Sequence, residues 1–255
     1  MYSLCKLYKN LARFVFYSLE DNRNIGHQIK EETITDIIIS KLKTWNKFYS
    51  GSQFNIKDFT KKEESKNGSD FEWDWYFVDS SGRKWLGFRI QAKILNLKTN
   101  KFNSFNHNKG HQLNTLISSS NSDNRIPYYC FYLHKYDESP LRGCSLASYN
   151  NVIRLLRISK TPSVDDVIKE SFPWHLLVCH CKYGCLSKYS LPERLLNNLV
   201  TLNEKDNFDL LSEKEVSKIS YLLKNEQEYY DPNEYYSESS PDLITIIQDK
   251  EEFYD

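Results

Sequence analysis

The chain's shortages bound it first. Glycine and proline are scarce, at 8 and 7 of 255 residues, which excludes collagen-like repeats and Gly/Pro-rich low-complexity sequence. No run of 18 apolar residues occurs, so no transmembrane helix is expected. The start, MYSLCKLYKNLARFVFYSL, scatters Lys6, Lys9 and Arg13 among its apolar residues. A secretory signal would separate a basic start from an apolar run, so a helix of the mature protein is expected there. The six cysteines, at 5, 130, 144, 179, 181 and 185, are too sparse for a disulfide-dense scaffold. A reducing cytoplasm is the expected compartment. Net charge is zero only in sum. Residues 226–255 carry ten acids and one lysine, or −9, against 33 basic and 24 acidic residues, or +9, over 1–225. A basic body suits a polyanionic partner.

What is present is material for a core, with 40% hydrophobic residues and many Tyr and Phe. The apolar spacing predicts helices over 3–20 and 29–46 and a short strand over 53–60. Two further strands are expected from the hairpin described below, and a short helix from His111. PYYCFYLH (127–134) reads as a buried strand, 144–158 as helical after its first few positions, and PWHLLVCH (173–180) as a second buried strand. Ser163 is a candidate N-cap for another short helix. Helices are expected near 191–202, where Pro192 suits a helix start, and near 212–225, where Ser212-Glu-Lys-Glu fits a capping box. Strands interleaved with helices indicate an α/β fold with a mixed sheet. Residues 1–225 are read as one domain with a core over about 25–185. Residues 226–255 are read as an acidic, largely disordered tail, in which LITII (243–247) is an apolar island able to dock on the body or a partner.

The most informative stretch is NGSDFEWDWYFVDSSGRKWLGFRIQAKIL (67–95), a predicted β-hairpin. With period 2, Phe71, Trp73, Trp75 and Phe77 share one face, and Asp70, Glu72, Asp74, Tyr76 and Val78 the other. On the return strand Arg89, Gln91 and Lys93 alternate with apolar residues. A four-residue turn at Ser80–Arg83 places Asp79 opposite Lys84. It therefore places Glu72 opposite Gln91 and Asp70 opposite Lys93, with directly opposed Cβ atoms about 5 Å apart. The plainer alternative is an amphipathic hairpin with a solvated face and a surface Asp–Lys pair. On the preceding helix the period puts Glu31 about 20° from Ile38, in line with the buried stripe. There it is either a buried acid, which needs a partner or a metal, or a first-turn acid favoured by the helix dipole. Phosphodiester hydrolysis needs an activated water, a Lewis acid and a cation to offset transition-state charge. Mg²⁺ prefers oxygen ligands. Asp70, Gln91 and Glu31 are the candidate ligands, Lys93 the cation, and Glu72 a further ligand or orienter. Cys179, Cys181 and Cys185, with His175 and His180, form the competing candidate, but they lack the paired C-x₂-C knuckles of a strong zinc motif.

Asp70, followed about twenty residues later by Gln91-Ala92-Lys93 on an apolar strand, resembles the PD-(D/E)XK nuclease signature. It is similar in particular to the Mrr-like variant with Gln in place of the acid, and Glu31 matches that superfamily's upstream acid on a helix. The strings EETITD, FTKKEESKNGSDFEW, WLGFRIQAK, HQLNTLI and PYYCFY resemble a group of uncharacterised bacterial restriction-endonuclease-like proteins of unknown function, over roughly residues 25–135. The resemblance implies a restriction-endonuclease-like core, a mixed β-sheet flanked by helices, with extra helices added C-terminally. It implies a Mg²⁺- or Mn²⁺-dependent nuclease, a hydrolase of phosphodiester bonds, acting on DNA with RNA left open, in antiviral or other defence against foreign DNA. A homodimer or a partner protein of a defence system is the expected assembly, with no membrane. By the same analogy Gln112, on the following helix, faces the site. The second reading keeps the fold without the catalysis, as a weakened nuclease that binds nucleic acid or protein.

Overall fold

Apolar spacing builds the first two elements. Leu4, Leu7, Tyr8, Leu11, Val15 and Leu19 form the buried stripe of α1 (Leu4–Asn24), which ends at Gly26, φ +70°. Ile34, Ile38, Leu42 and Trp45 do the same for α2 (Glu31–Phe48). A computed structural model describes residues 4–49, 54–60, 72–103, 105, 113, 116–118, 120, 124–179, 189–202, 209–216, 219–220 and 243–250, the side chains of 58–60 and 72 apart. Next come β1 (Phe54–Thr60), β2 (Glu72–Val78), β3 (Lys84–Asn96) and β4 (Lys101–Phe102). Helical residues at 113, 116–118 and 120 precede β5 (Ile126–Tyr132). The chain continues through β6 (Cys144–Ser148), α3 (Tyr149–Ile158), α4 (Val164–Glu170), β7 (Phe172–Pro173) and α5 (His175–Cys179). It then forms α6 (Leu191–Thr201), β8 (Leu211–Ser212) and β9 (Leu243–Asp249). No described helix is long and apolar enough to cross a membrane.

The strands make one mixed nine-stranded sheet in the order β1-β9-β2-β3-β5-β6-β7, with β4 and β8 both paired to β3. β2 and β9 run parallel, as do β3 and β5, and the other pairs are antiparallel. The fold is thus α/β, a mixed sheet flanked by helices. Tyr8 of α1 meets Trp75 and Trp174, with ring centroids 5.7 and 4.8 Å away. The Trp174 indole N–H donates to the Tyr8 carbonyl at 2.8 Å. The backbone of α1 crosses directly over Gly143, where any methyl would run into the Ala12 carbonyl and the Phe16 backbone.

Several expectations change. Residues 243–249 are part of the sheet: β9 lies between β1 and β2. Its apolar run is that of a strand covered on both faces. Leu243 and Ile247 join the main core, and Ile244 and Ile246 a second cluster with Tyr76, Val78 and Trp85. The expected strand at 173–180 is only the two residues of β7, followed by α5, because a short apolar run does not distinguish strand from helix. The stretch 144–158 is helical after its first positions, as expected, and those first positions are a strand. Ser163 caps α4 in a full capping box with Asp166. Ser212 N–H donates to Glu215 Oε2 at 2.7 Å as a capping box requires, but 213–216 are a turn and only 219–220 are described as helical beyond it. Cys179 is half-buried and bonded to Cys5, tying α5 to α1.

Candidate functional site

The hairpin forms in the expected register. Glu72 stands opposite Gln91, Trp73 opposite Ile90 and Asp74 opposite Arg89. Asp79 N–H donates to the Lys84 carbonyl at 3.1 Å. The Asp79 carboxylate closes the turn, accepting from Arg83 N–H at 2.7 Å, Lys84 N–H at 3.1 Å and Ser81 Oγ at 2.7 Å. Gly82, φ +73°, supplies the left-handed residue that this turn needs. The Lys84 ammonium instead meets Glu193 Oε1 at 2.6 Å. Asp79 and Lys84 thus stand opposite each other as expected, joined through their backbones with the Asp79 carboxylate capping the turn.

Strand alternation sorts the side chains of β3 between two faces. Phe88, Ile90, Ala92 and Ile94 face the helices, since Tyr132, in register with Ile94, donates from its phenol to Thr35 Oγ1 of α2 at 2.9 Å. Gly87, Arg89, Gln91 and Lys93 face the other way. Gln91 stands beside Tyr129 and Lys93 beside Phe131 in the parallel register. Phe102 and Phe105 close over that pair, with ring centroids 5.0 and 5.9 Å from Phe131. Gln91 and Lys93 are each only 2% exposed. Among the described residues the polar row, Asp74, Arg89, Gln91 and Lys93, is therefore buried, and the solvated-face alternative does not hold for them.

Sequence reasoning missed the third pair of this row. Asp74 is fully buried and accepts a two-pronged bond from Arg89, Nε to Oδ1 at 2.9 Å and Nη2 to Oδ2 at 3.1 Å. Arg125, from the segment before β5, pairs with the same Oδ2. Gly87 makes room for this: a Cβ there would stand 3.0 Å from the Tyr76 ring and 3.2 Å from the Arg125 stem. The Asp74–Arg89 contact was readable from the register that pairs Glu72 with Gln91. Arg125 was not, because it arrives through the crossover between parallel strands.

The other expected residues stand as follows. Glu31 is the first residue of α2 and half-buried. Its carbonyl accepts from Thr35 Oγ1 at 3.1 Å. Its charge, after burial and the neighbouring Cys130 and Cys144, adds to the rise of the Tyr132 phenol pKa well above its usual value. Glu31 thus enters from the helix layer, whereas the Gln91 and Lys93 side chains leave β3 on the opposite face. Glu72 is fixed by its backbone register alone. Asp70 and Gln112 lie outside the described residues. Asp70, Glu72 and Gln91 offer oxygen donors only, the set that suits a hard divalent cation; the expected fourth donor, Glu31, is on the other side of the sheet because α2 packs on the helix-facing layer. Among the described residues no group of three or more His, Cys, Asp or Glu forms a metal cage. The Gln91 amide and Asp70 fall outside that criterion. Cys179 is spent on the disulfide with Cys5, so it is not a zinc ligand in this state. His180, Cys181 and Cys185 are outside the described residues. His175 is held neutral: burial first, then the nearby Lys9 charge, lowers its imidazole to about 4.

No curated protein and no solved structure matches the chain. One family model matches residues 4–252, from α1 through β9, and the chain belongs to that family, a family of unknown function (DUF6615).

Proposed function

We propose that this protein is a metal-dependent nuclease that hydrolyses phosphodiester bonds of DNA, in defence against foreign DNA. The observation that carries the reading is the buried pair Gln91 and Lys93, side by side on β3 with Glu72 opposite Gln91. A lysine is kept in a buried layer only with carboxylates close by, and Glu72 and Asp70 are the acids that the hairpin register assigns to it. Asp70 and Gln91 would hold Mg²⁺ or Mn²⁺, with Glu72 as a further ligand or orienter; Glu31, on the helix face of the sheet, is left out of the ion's ligands. When bound, the ion supplies a Lewis acid on the phosphate and a water of lowered pKa. Lys93 offsets the charge that grows on the phosphate oxygens and orients the attacking water, in a layer where charge is weakly screened. Gln91 contributes a neutral amide oxygen, so the negative charge of the site comes from the acids. The Asp74–Arg89–Arg125 group sits one pair along the same strands and stiffens the row without touching the substrate.

Purified protein with supercoiled plasmid and Mg²⁺ or Mn²⁺ tests the reading. Nicking or linearisation is expected from the wild type, loss with EDTA, and a fall of about 100-fold or more for Lys93→Met, the size of one removed transition-state contact. An intact plasmid with every divalent ion, or equal cleavage by Lys93→Met, overturns it. The 2% exposure of Gln91 and Lys93 favours a second reading, a closed nuclease fold that binds nucleic acid or protein without cutting. DNA retention without cleavage, unchanged by Lys93→Met, would select that one.

A further inference from the structure

The parallel neighbours β3 and β5 end together, and in open α/β sheets the crevice beyond the carboxyl ends of strands is where ligands collect. A cavity of about 320 Å³ lies there, at the small end of ligand-sized pockets. Its floor is His134, two residues past β5 and 2% exposed. Neither imidazole nitrogen of His134 has a hydrogen-bond partner within 3.5 Å; Nε2 lies 3.6 Å from Glu20 Oε1, close enough for that carboxylate to act on the ring, and Nδ1 is left for a ligand. Arg23 lines one wall, with Nη2 donating to Asn100 Oδ1 at 2.7 Å and its buried Nε unpartnered. Lys101 and Tyr136 complete the mouth. Tyr136 is 90% exposed, an aromatic face left open beside two cations.

The walls are fixed by backbone bonds. Val164 N–H donates to the Asn100 carbonyl at 3.1 Å, and Phe102 N–H to the Pro162 carbonyl at 2.9 Å. Asn100 itself takes a left-handed φ of +54°, which turns its side chain to Arg23.

We propose that this cavity binds a phosphoryl group carried by a nucleotide, with Arg23, Lys101 and the His134 ring on the phosphate oxygens and Tyr136 stacked on the base. A buried donor without a partner is costly, and phosphate oxygens satisfy Arg23 Nε and the single N–H of a neutral imidazole. Every base presents a π-face to an open aromatic ring. The acids in the lining limit the ligand's charge. Asp165 and Asp137 hold Lys135 at 2.8 and 3.5 Å, so that lysine is engaged and two carboxylates face any further phosphate. A monophosphate, free or at a strand end, fits this balance, and a triphosphate does not.

Calorimetric titration of the full chain tests the proposal, with inorganic phosphate, thymidine, thymidine 5′-monophosphate, and an oligothymidylate with and without a 5′-phosphate as probes. The monophosphate is expected to bind about 10-fold or more tighter than thymidine, the worth of one charge-assisted contact. Arg23→Gln with Lys101→Gln should remove that margin. Tyr136→Ala should weaken the monophosphate about 10-fold and leave inorganic phosphate unchanged. Lys101 and Tyr136 are exposed, so Lys101→Glu and Tyr136→Ala keep the test sound if the Arg23 variant does not fold. Tighter binding of the phosphorylated oligonucleotide than of its 5′-hydroxyl form identifies a strand end as the source; preference for the mononucleotide identifies a free ligand. Equal affinity for thymidine and its monophosphate, or affinity unchanged in the double variant, overturns the site. The readout is binding, and it is expected to survive Lys93→Met, so it stands or falls separately from the nuclease reading.

Discussion

Asp74 is held between two guanidinium groups, with side-chain exposures of 0% for Asp74 and Arg89 and 5% for Arg125. Removing the one carboxylate leaves two cations in a layer that cannot solvate them. Asp74→Asn is therefore expected to cost about 3–5 kcal/mol, the range for breaking a buried pair from one side, read as a fall in urea-unfolding free energy. A loss under about 1 kcal/mol would place the group in contact with water after all. The Lys84–Glu193 pair is a useful contrast: its lysine is 48% exposed, so Lys84→Ala should barely register. His175 gives the acid side of the stability curve its shape. Its folded pKa of about 4 lies below the ordinary value of 6.5, chiefly through burial, with Lys9 and Arg13 adding to it and a backbone bond at Leu141 opposing it. The unfolded chain takes up this proton near pH 6.5 and the folded chain does not until about 4. The stabilisation is complete above pH 6.5, falls away down to about 4, and is flat below. His175→Gln should therefore flatten that window in urea titrations at stepped pH, and an unchanged slope would sink the assignment. Only residue types and their spacing were legible at this scale. Asp74 read as one more polar residue on the hairpin until its burial was known.

At the scale of elements, the hairpin was the most legible part. Alternation and the Asp79–Lys84 turn were enough to set Glu72 opposite Gln91, because a slip of one residue would bury the polar row in the helix-facing core. β9 was the least legible. An acidic, tyrosine-rich stretch precedes it, so Leu243–Ile247 read as an island in a tail. Nothing local tells a strand that it will be inserted between β1 and β2, about 180 residues earlier in the chain. The consequence is testable. Leu243, Ile244, Ile246 and Ile247 are each no more than 1% exposed. At about 1.5–3 kcal/mol per buried aliphatic side chain, they are together worth about as much as a whole domain's net stability. Trp73 Nε1 also donates to Thr245 Oγ1 at 2.9 Å. A chain ending at 242 is expected to lose its cooperative unfolding transition by circular dichroism. A truncated chain that melts like the full one would show that β9 is dispensable. The same reasoning covers the cysteines: composition showed only that they are few, and the approach of Cys5 to Cys179 across 174 residues depends on α1 lying against α5.

For the whole molecule, the nuclease proposal makes a prediction that needs no cleavage. A cation bound only by the folded site stabilises by mass action, about 2.7 kcal/mol at a hundredfold excess over Kd, or about 5 °C in Tm for a chain of this size. Thermal scans with and without Mg²⁺ or Mn²⁺ should show that rise for the wild type and lose it in Asp70→Asn. A Tm indifferent to both ions, together with intact plasmid, would end the reading. The α/β class, the helices at 4–24 and 31–48 and the hairpin register follow from patterns of period 3.6 and period 2. Those patterns act over neighbouring residues and survive in one dimension. Which strand fills the gap between β1 and β2, how Arg125 reaches Asp74 across Gly87, and why Gln91 and Lys93 are buried depend on contacts between distant segments. Those contacts exist only once the sheet has closed, since burial, which turns a polar residue from a solvated ornament into a paired and costly group, is a property of the packed layer and not of the strand.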